Sequence, residues 1–350
     1  MDNNELIVIN KHDLNTDYVK NRINEERESK RDLNKAERIP IQNNLLLNPV
    51  FYTAVCGLVS SFIGWSLIEP LVYTGTEKHV GMLSVMVMVI TMLLCSSISS
   101  IDSLMSGNIL KALKTGAVGL GVGLVWGIVG NITASIFMLI AQYLIFSSMA
   151  GGGAPSRMTL IMVSMMTRAP AWAFLGMGAG AIPGLANYSK KIAFNGMIGG
   201  MIGGFIGGFI FDPIGEGLNS QTGAISRAIG FVALSTFIGF FVGLVENMAK
   251  DVWITMNSGP LRGKQFVIYH NPTLIGSSPK SDIYIFKDPN VMPTHAKIQR
   301  KGSKYEIIDD SRGVGVYVNS EKINGSKILE NNDTIIVGQS ILEFQQKERR

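Results

Sequence analysis

The chain has 350 residues, of which 47% are hydrophobic and 16% are charged, whereas an average soluble domain is roughly a quarter charged. The formal net charge of +5 comes without a basic stripe or interleaved aromatic residues, which argues against a nucleic-acid-binding protein. Two cysteines inside apolar runs and four scattered histidines build neither a disulfide framework nor a metal cluster, so we expect no metal and no cofactor.

Residues 1–49 form a polar leader before the first apolar run. Its stretch "NRINEERESKRDLNKAER" places acidic and basic side chains at helical spacing, which is typical of a solvated helix. The leader lacks the apolar run and the small-residue cleavage site of a signal peptide. We therefore predict a flexible, retained cytosolic tail.

Residues 50–250 change to apolar sequence, with nine basic and six acidic residues against 22 and 20 in the remainder of the chain. Because crossing a bilayer takes about 20 apolar residues, this region predicts an α-helical polytopic membrane domain. Basic residues precede the first, third and fifth spans and favour an orientation with both termini cytosolic. The six predicted spans cover residues 50–70, 81–102, 115–136, 165–187, 192–213 and 224–246.

The third and fourth spans have the least definite limits. Apolar sequence continues from Val118 to Phe146 and resumes at Met158. This stretch is longer than one crossing requires, so the excess is expected to tilt, to protrude, or to lie in the interface.

Two segments of the membrane domain resemble each other. "FIGWSLIEP" at 62–70 aligns without gaps on "FIGGFIFDP" at 205–213, with an acidic residue before a proline in both. The likeness predicts an internal repeat that relates the first span to the fifth, within an arrangement of three helical hairpins.

Glycines recur every four residues on two of the spans. Such rows let helix backbones approach closely, which supplies much of the attraction between helices in lipid. We interpret the rows as packing surfaces within the chain, with self-association or a glycine-lined conduction path as alternatives. The residues are Gly119, Gly123 and Gly127 in the third span and Gly200, Gly204 and Gly208 in the fifth.

Polar and ionisable residues in or beside the spans are candidates for function, because they are costly in hydrocarbon. Glu69 and Asp212, which each precede a proline, are interpreted as helix-end anchors, with an ion or proton site as the alternative. Asp212 is also expected to lie near Arg227 at the start of the sixth span. An irregular turn is expected at Pro170, beside a cation. The candidates are Glu69, Asn131, Arg168, Asp212 and Arg227.

Residues 252–350 change character again. Short alternating runs, among them "KQFVIY", "DIYIF", "AKIQR", "KYEII" and "DTIIVGQSILEF", are separated by turn residues, which predicts an all-β sandwich. Six motifs follow one another here: "GPLRGKQF", "LIG", "SDIYI", "DPNV" before a His-Ala pair, "GVYVN" and "DTIIVG". In their order and spacing, these motifs resemble those of a forkhead-associated (FHA) domain. That resemblance implies loops that recognise phosphothreonine peptides through charge-assisted hydrogen bonds.

This sequence departs from the FHA pattern where phosphate would bind. Ser277 stands in place of the family's arginine, and Met292 in place of its serine. Val314 replaces an asparagine, whereas Asn319 and His295 match the family, in which the histidine braces the loop. These five positions are the candidate peptide-binding residues, and their phosphothreonine pocket is predicted to be degenerate.

Nearby lysines supply at most a diffuse positive field, because lysine lacks the forked geometry of arginine. The residues are Lys280, Lys297 and Lys301.

Two functions remain open on sequence alone, and neither is enzymatic, because no catalytic constellation is evident. The first is a membrane-anchored docking or adaptor protein whose FHA-like module recognises a cytosolic protein, without phosphate, in signalling or assembly. The second is a small channel or transporter that its cytosolic module regulates. A transporter is expected to place its polar span residues along one cavity.

Overall fold

A computed structural model describes residues 45–74, 77–78, 81–149, 154–217 and 223–347 of the chain. The predicted polar leader lies almost wholly outside the described residues, as does the side chain of Asp212. The described chain forms a helical bundle (residues 49–249) followed by a β-sandwich (residues 252–346).

The bundle contains six helices that are long and apolar enough to cross a membrane, as judged by length and composition. The predicted fold class is thereby confirmed, although most helices extend beyond the predicted spans. The helices are α1 Pro49–Val72, α2 Gly81–Met105, α3 Ile109–Met149, α4 Arg157–Ala186, α5 Lys190–Gly217 and α6 Ala224–Ala249.

The turn between α2 and α3 is only three residues long, and its sequence explains why. Gly107 adopts a φ of +73°, a conformation that glycine reaches without strain, and its N–H donates to the Leu104 carbonyl at 2.9 Å. The Asn108 side chain accepts from the Lys111 N–H at 3.0 Å and so caps α3. One residue ends a helix and the next begins another, which makes α2 and α3 antiparallel neighbours.

Helix α3 continues without a break from Ile109 to Met149. At a rise of about 1.5 Å per residue, its 41 residues span roughly 60 Å, about twice the hydrocarbon thickness. Helix α4 likewise continues through Pro170, so the expected irregular turn at this proline was wrong. Helices α1 and α5 also continue through Pro70 and Pro213.

The helices pack in a ring, since each contacts the next along the chain and α6 returns to α1. The core of the bundle includes the fully buried Leu94 on α2, Ile182 on α4 and Ile238 on α6. Several helix pairs approach closely at glycines. A Cβ built on Gly200 would overlap the carbonyl oxygen of Gly176 on α4.

The other glycines of the two rows lie on similar close contacts. Gly204 and Gly208 face Trp172 on α4, where Gly204 meets its carbonyl group and Gly208 its side chain. Gly119, Gly123 and Gly127 follow α2 from Ser99 towards Met88. The residues therefore sit where helices meet, as a packing role requires, and that role stays a prediction to be tested.

The sandwich has two sheets whose inner faces enclose an aliphatic core with Phe344 at its centre. The predicted run "DTIIVGQSILEF" forms two strands, because Gly338, at φ +63°, turns the chain. A small hairpin between α1 and α2 contains β1 Tyr73–Thr74 and β2 Glu77–Lys78. The strands of the sandwich are β3 Val252–Met256, β4 Gln265–Val267, β5 Thr273–Gly276, β6 Ile283–Tyr284, β7 Ala296–Lys301, β8 Lys304–Asp309, β9 Val316–Val318, β10 Glu321–Lys322, β11 Ser326–Leu329, β12 Thr334–Val337 and β13 Ser340–Gln346. One sheet has the order β10-β9-β12-β13-β3-β4, and the other has the order β11-β8-β7-β5-β6.

The sandwich rests on the end of the bundle where α1, α3 and α5 begin. Asn108, in the turn before α3, donates from its side chain to the Pro279 carbonyl at 2.7 Å, and the Phe286 ring lies against Gly107. Lys191 on α5 pairs with Asp251, in the linker to the sandwich, at 2.6 Å. We call this contact region the junction.

Candidate functional site

His295 organises the loops that the sequence identified as the peptide-binding region. Its side chain is buried and lies just before β7. The ring Nδ1 accepts from the Met292 N–H at 3.1 Å, and Nε2 donates to the Gly315 carbonyl at 3.2 Å. One nitrogen accepts and the other donates, so this histidine is satisfied as a neutral ring. It ties the loop before β7 to the loop before β9.

Ser277 uses its hydroxyl within the same loop system. The Oγ donates to the Val291 carbonyl at 2.8 Å, and the backbone N–H donates to the Met292 carbonyl at 3.0 Å. The preceding Gly276 lies so close to Pro293 that a Cβ would overlap its carbonyl oxygen. The position that carries arginine in the FHA family is therefore a short side chain already bonded to its own domain.

The remaining three candidate positions offer little to a phosphate group. Met292 is half-buried and Val314 is exposed, and neither side chain donates hydrogen bonds. The Asn319 amide group donates to Asp333 at 2.7 Å and accepts from the Thr334 N–H at 2.9 Å. The structure thus joins Ser277, Met292 and His295 directly, places Val314 beside Gly315, and bonds Asn319 to the start of β12.

Carboxylates offset two of the three lysines expected to supply a positive field. Lys297 lies 3.5 Å from Asp310, and Lys301 lies 3.4 Å from Glu306. Burial acts to raise the pKa of nearby Asp309, but hydrogen bonds from Ser311 outweigh it and hold that pKa below its ordinary value. Asp309 therefore stays ionised at neutral pH, which further reduces the positive field that an anion would meet.

The polar candidates of the bundle are dispersed rather than gathered. Arg227 forms a two-point ion pair with Glu69 across α6 and α1, both side chains being largely buried. The predicted proximity of Arg227 to Asp212 stays a prediction, because the Asp212 side chain lies outside the described residues. Asn131 donates to backbone carbonyls of Ser84 and Gly127, and Arg168 is exposed on α4.

A small cavity lies at the centre of the bundle. It has a volume of about 10 Å³ and is lined mainly by apolar side chains such as Ile90, Leu234 and Ile238. That volume is at the lower limit for one water molecule. None of the four polar candidates whose side chains the structure describes lines this cavity, so it does not unite those four in a pathway.

The junction contains functional candidates that sequence reasoning missed. Lys264 is only 1% exposed, and its Nζ lies 2.6 Å from the Asp102 carboxylate on α2 and 3.4 Å from the Tyr52 hydroxyl on α1. Asp102 is open on its other side, with 68% of its side chain exposed. The available signal was an ionisable residue in an apolar span.

A second polar cluster in the junction is centred on His270. Its Nδ1 lies 2.9 Å from an Asp282 carboxylate oxygen, and its Nε2 lies 2.9 Å from the Asn187 carbonyl oxygen in the turn between α4 and α5. The hydrogen bond to Asp282 raises the pKa of His270 above its ordinary value, although burial acts against it. Nearby, the Tyr269 hydroxyl donates to Glu246 on α6 at 3.3 Å.

The sandwich is similar in sequence to known proteins. Residues 256–348 match the family model described as the inner membrane component of the type III secretion system, cytoplasmic domain. A 102-residue stretch is 36% identical to the oxoglutarate dehydrogenase inhibitor of Corynebacterium jeikeium, covering 29% of this chain and 67% of that protein. The chain belongs to the FHA domain family.

Two further matches also cover about a quarter to a third of this chain. The glycogen accumulation regulator GarA of Mycolicibacterium smegmatis is 31% identical over 91 residues, which is 26% of this chain and 56% of that protein. The cytoplasmic domain of the type III secretion sorting platform protein PscD from Pseudomonas aeruginosa is 16% identical, with a TM-score of 0.26, and the match covers 29% of this chain and 83% of that domain. This chain thus spans between about half and two thirds of the length of the curated relatives that it matches.

Proposed function

We propose that this protein is a membrane-anchored docking protein whose FHA domain binds a protein partner without requiring phosphate. The observation that carries the proposal is the use of polar groups inside the loops: the Ser277 hydroxyl bonds to Val291, and the Asn319 amide bonds to Asp333. The single Ser277 hydroxyl proton and one of the two Asn319 amide protons are therefore used within the domain rather than on a phosphate oxygen. Membership in a family of protein-interaction modules and the match to a secretion-system membrane component support the docking role.

A regulated channel or transporter receives less support. The central cavity holds about one water molecule at most and is lined mainly by apolar side chains. The polar candidates Glu69 and Arg227 bond to each other, and the Asn131 side chain donates to helix backbone. These contacts favour structural roles over a path for solutes.

The docking proposal places both ends of the chain in the cytosol, with the FHA domain facing cytosolic partners. The basic residues before α1, α3 and α5 support this orientation. In intact cells, Ser326→Cys is expected to be shielded from an impermeant thiol label, whereas Thr74→Cys is expected to react. Labelling of Ser326→Cys from outside would reverse the orientation.

Phosphate dependence can be measured directly on the full chain in lipid nanodiscs. We expect a degenerate phosphothreonine peptide library and its unphosphorylated counterpart to give equal fluorescence anisotropy titrations. Hydrogen bonds to a charged group contribute about 1.5 to 3 kcal/mol each, so the two missing donors correspond to roughly two to four decades of affinity. A micromolar, phosphate-dependent signal would refute the proposal.

The matched control restores the family's side chains through Ser277→Arg, Met292→Ser and Val314→Asn. If only the donors are missing, this triple variant gains phosphate-dependent binding. Pro293 bears on the outcome, because its carbonyl accepts from the Ser278 N–H at 3.2 Å and from the Ser281 hydroxyl at 3.3 Å. Failure of the triple variant, with the fold intact, would indicate that the loop shape also differs.

A further inference from the structure

The contact at His270 connects the FHA domain to the bundle through one imidazole ring. His270 follows β4 in the FHA domain, and its Nε2 reaches the Asn187 carbonyl oxygen at 2.9 Å, in the turn between α4 and α5. Its Nδ1 meets the carboxylate of Asp282, in the same domain, also at 2.9 Å. The ring therefore lies between two oxygen atoms, one from each part of the molecule.

The chemistry of those two oxygens fixes the number of protons on the ring. A backbone carbonyl and an ionised carboxylate can only accept hydrogen bonds, whereas a neutral imidazole carries one N–H. A neutral His270 would set a ring lone pair against one of the two oxygens. Only the imidazolium form, with two N–H groups, donates to Asp282 and to Asn187 at once.

His295 shows that the same residue type can be held in the opposite state. Its Nδ1 accepts a backbone N–H from Met292, and its Nε2 donates to the Gly315 carbonyl. Protonation at Nδ1 would break the first of these bonds inside a buried site. The two histidines of the FHA domain thus have hydrogen-bond partners that call for different charges.

The charged groups around His270 come from several elements. Asp282, before β6, raises the pKa of His270, whereas burial and the charge of Lys111 on α3 act to lower it. On the α6 side, Glu246 is bonded to the neighbouring Tyr269. Burial acts to raise the pKa of Asp282, but the His270 bond and the Leu274 N–H outweigh it and hold the carboxyl ionised.

We propose that the FHA domain docks on the bundle through a proton-dependent contact at His270, which closes when the ring is protonated and opens when it is neutral. The sign follows from the raised pKa of the docked ring. The contact is fully present below the pKa of an unconstrained histidine, about 6.5, and is lost as the pH rises through the higher docked value. One charge-assisted bond corresponds to roughly a tenfold change in the ratio of docked to undocked molecules.

The opening has a limit set by the other side of the junction. Lys264 and Asp102 are paired at 2.6 Å, a contact in which the imidazole takes no part. Neutral His270 would therefore free one edge of the FHA domain while Lys264 holds the other. The expected motion is a tilt about Lys264, which changes the exposure of the loops between β4 and β6.

Spin labels on the full chain in lipid nanodiscs test the proposal. Ser303→Cys in the exposed turn between β7 and β8 and Lys190→Cys at the start of α5 place one label on each part, and the two native cysteines are buried. We expect one narrow distance distribution at about pH 5.5 and a broader one at about pH 8.5. NMR titration of the histidine rings should show His270 changing charge within this pH range.

Two variants separate protonation from packing. His270→Arg stays cationic across this range and should remain docked at both pH values, whereas His270→Gln stays neutral and should give the broader distribution at both. Identical distributions for the unmodified residue at the two pH values would overturn the proposal. So would a full pH response in His270→Gln, because the responding group would then lie elsewhere.

Discussion

The bundle and the FHA domain reach close packing by different means. In the bundle, α4 and α5 meet backbone to backbone, so that Gly176 and Gly180 face Gly200 and Gly196 without side chains between them. In the FHA domain, the sheets are separated by fully buried side chains such as Phe344. A side-chain core can adjust rotamers around a change, whereas two backbones in contact have nothing that can move aside.

This difference predicts that glycine replacement in the bundle has the largest effect of the substitutions we consider. Gly200→Leu places a side chain where a Cβ alone would overlap the Gly176 carbonyl oxygen. Overpacking in a core costs about 1 to 3 kcal/mol, and a rigid backbone neighbour puts this position at or above the upper end. We expect loss of the monodisperse detergent-solubilised protein, measured by size-exclusion chromatography and thermal unfolding.

Gly121→Leu is the matched control, because a Cβ at Gly121 meets nothing within 4 Å. Both positions lie inside helices and both replacements improve helix propensity, so only packing differs between them. Comparable yield and melting temperature for the two variants would contradict the packing role of the glycine row. Leu139→Val, on an exposed side chain of α3, should also have little effect.

The same contrast explains what could be predicted from sequence. Apolar length identified the helices, and alternating short runs identified the sandwich, because these signals are local. The lengths of α3 and α4 were underestimated, since apolar composition does not say where a helix stops. The stops come from small polar turns such as Gly107 with Asn108.

The candidate site was also predicted only in part. The FHA loop positions followed from motif order, and Ser277 and His295 lie together as that order implies. The junction gave one local signal, the ionisable Asp102 in an apolar span. Its partner Lys264 is far away in the sequence and by itself resembles a surface charge. The pair of Arg227 with Glu69 on the first helix was not predicted, because the two residues are far apart along the chain.

A smaller effect is expected where bundle and FHA domain meet, and it should be asymmetric. In the pair of Lys264 and Asp102, the ammonium is 1% exposed and the carboxylate side chain 68% exposed. Removing the carboxylate charge through Asp102→Asn leaves a buried cation that faces only a neutral amide oxygen and the Tyr52 hydroxyl. Breaking a fully buried ion pair costs about 3 to 5 kcal/mol. If the FHA domain undocks, however, Lys264 becomes hydrated, so the variant loses no more than the free energy of docking.

Removing the lysine should matter less than removing its partner. Lys264→Met keeps the apolar stem against the Tyr52 ring, whose centroid lies 5.0 Å from the present Nζ, and it leaves Asp102 free to be hydrated. Exposed ion pairs contribute about 0 to 1 kcal/mol, so we expect this variant to stay mostly docked and Asp102→Asn to undock. The label pair at Ser303 and Lys190 measures both at one acidic pH, where His270 is protonated. Equal displacement in the two variants would show that attraction between the charges holds the junction, rather than avoidance of an unpaired buried cation.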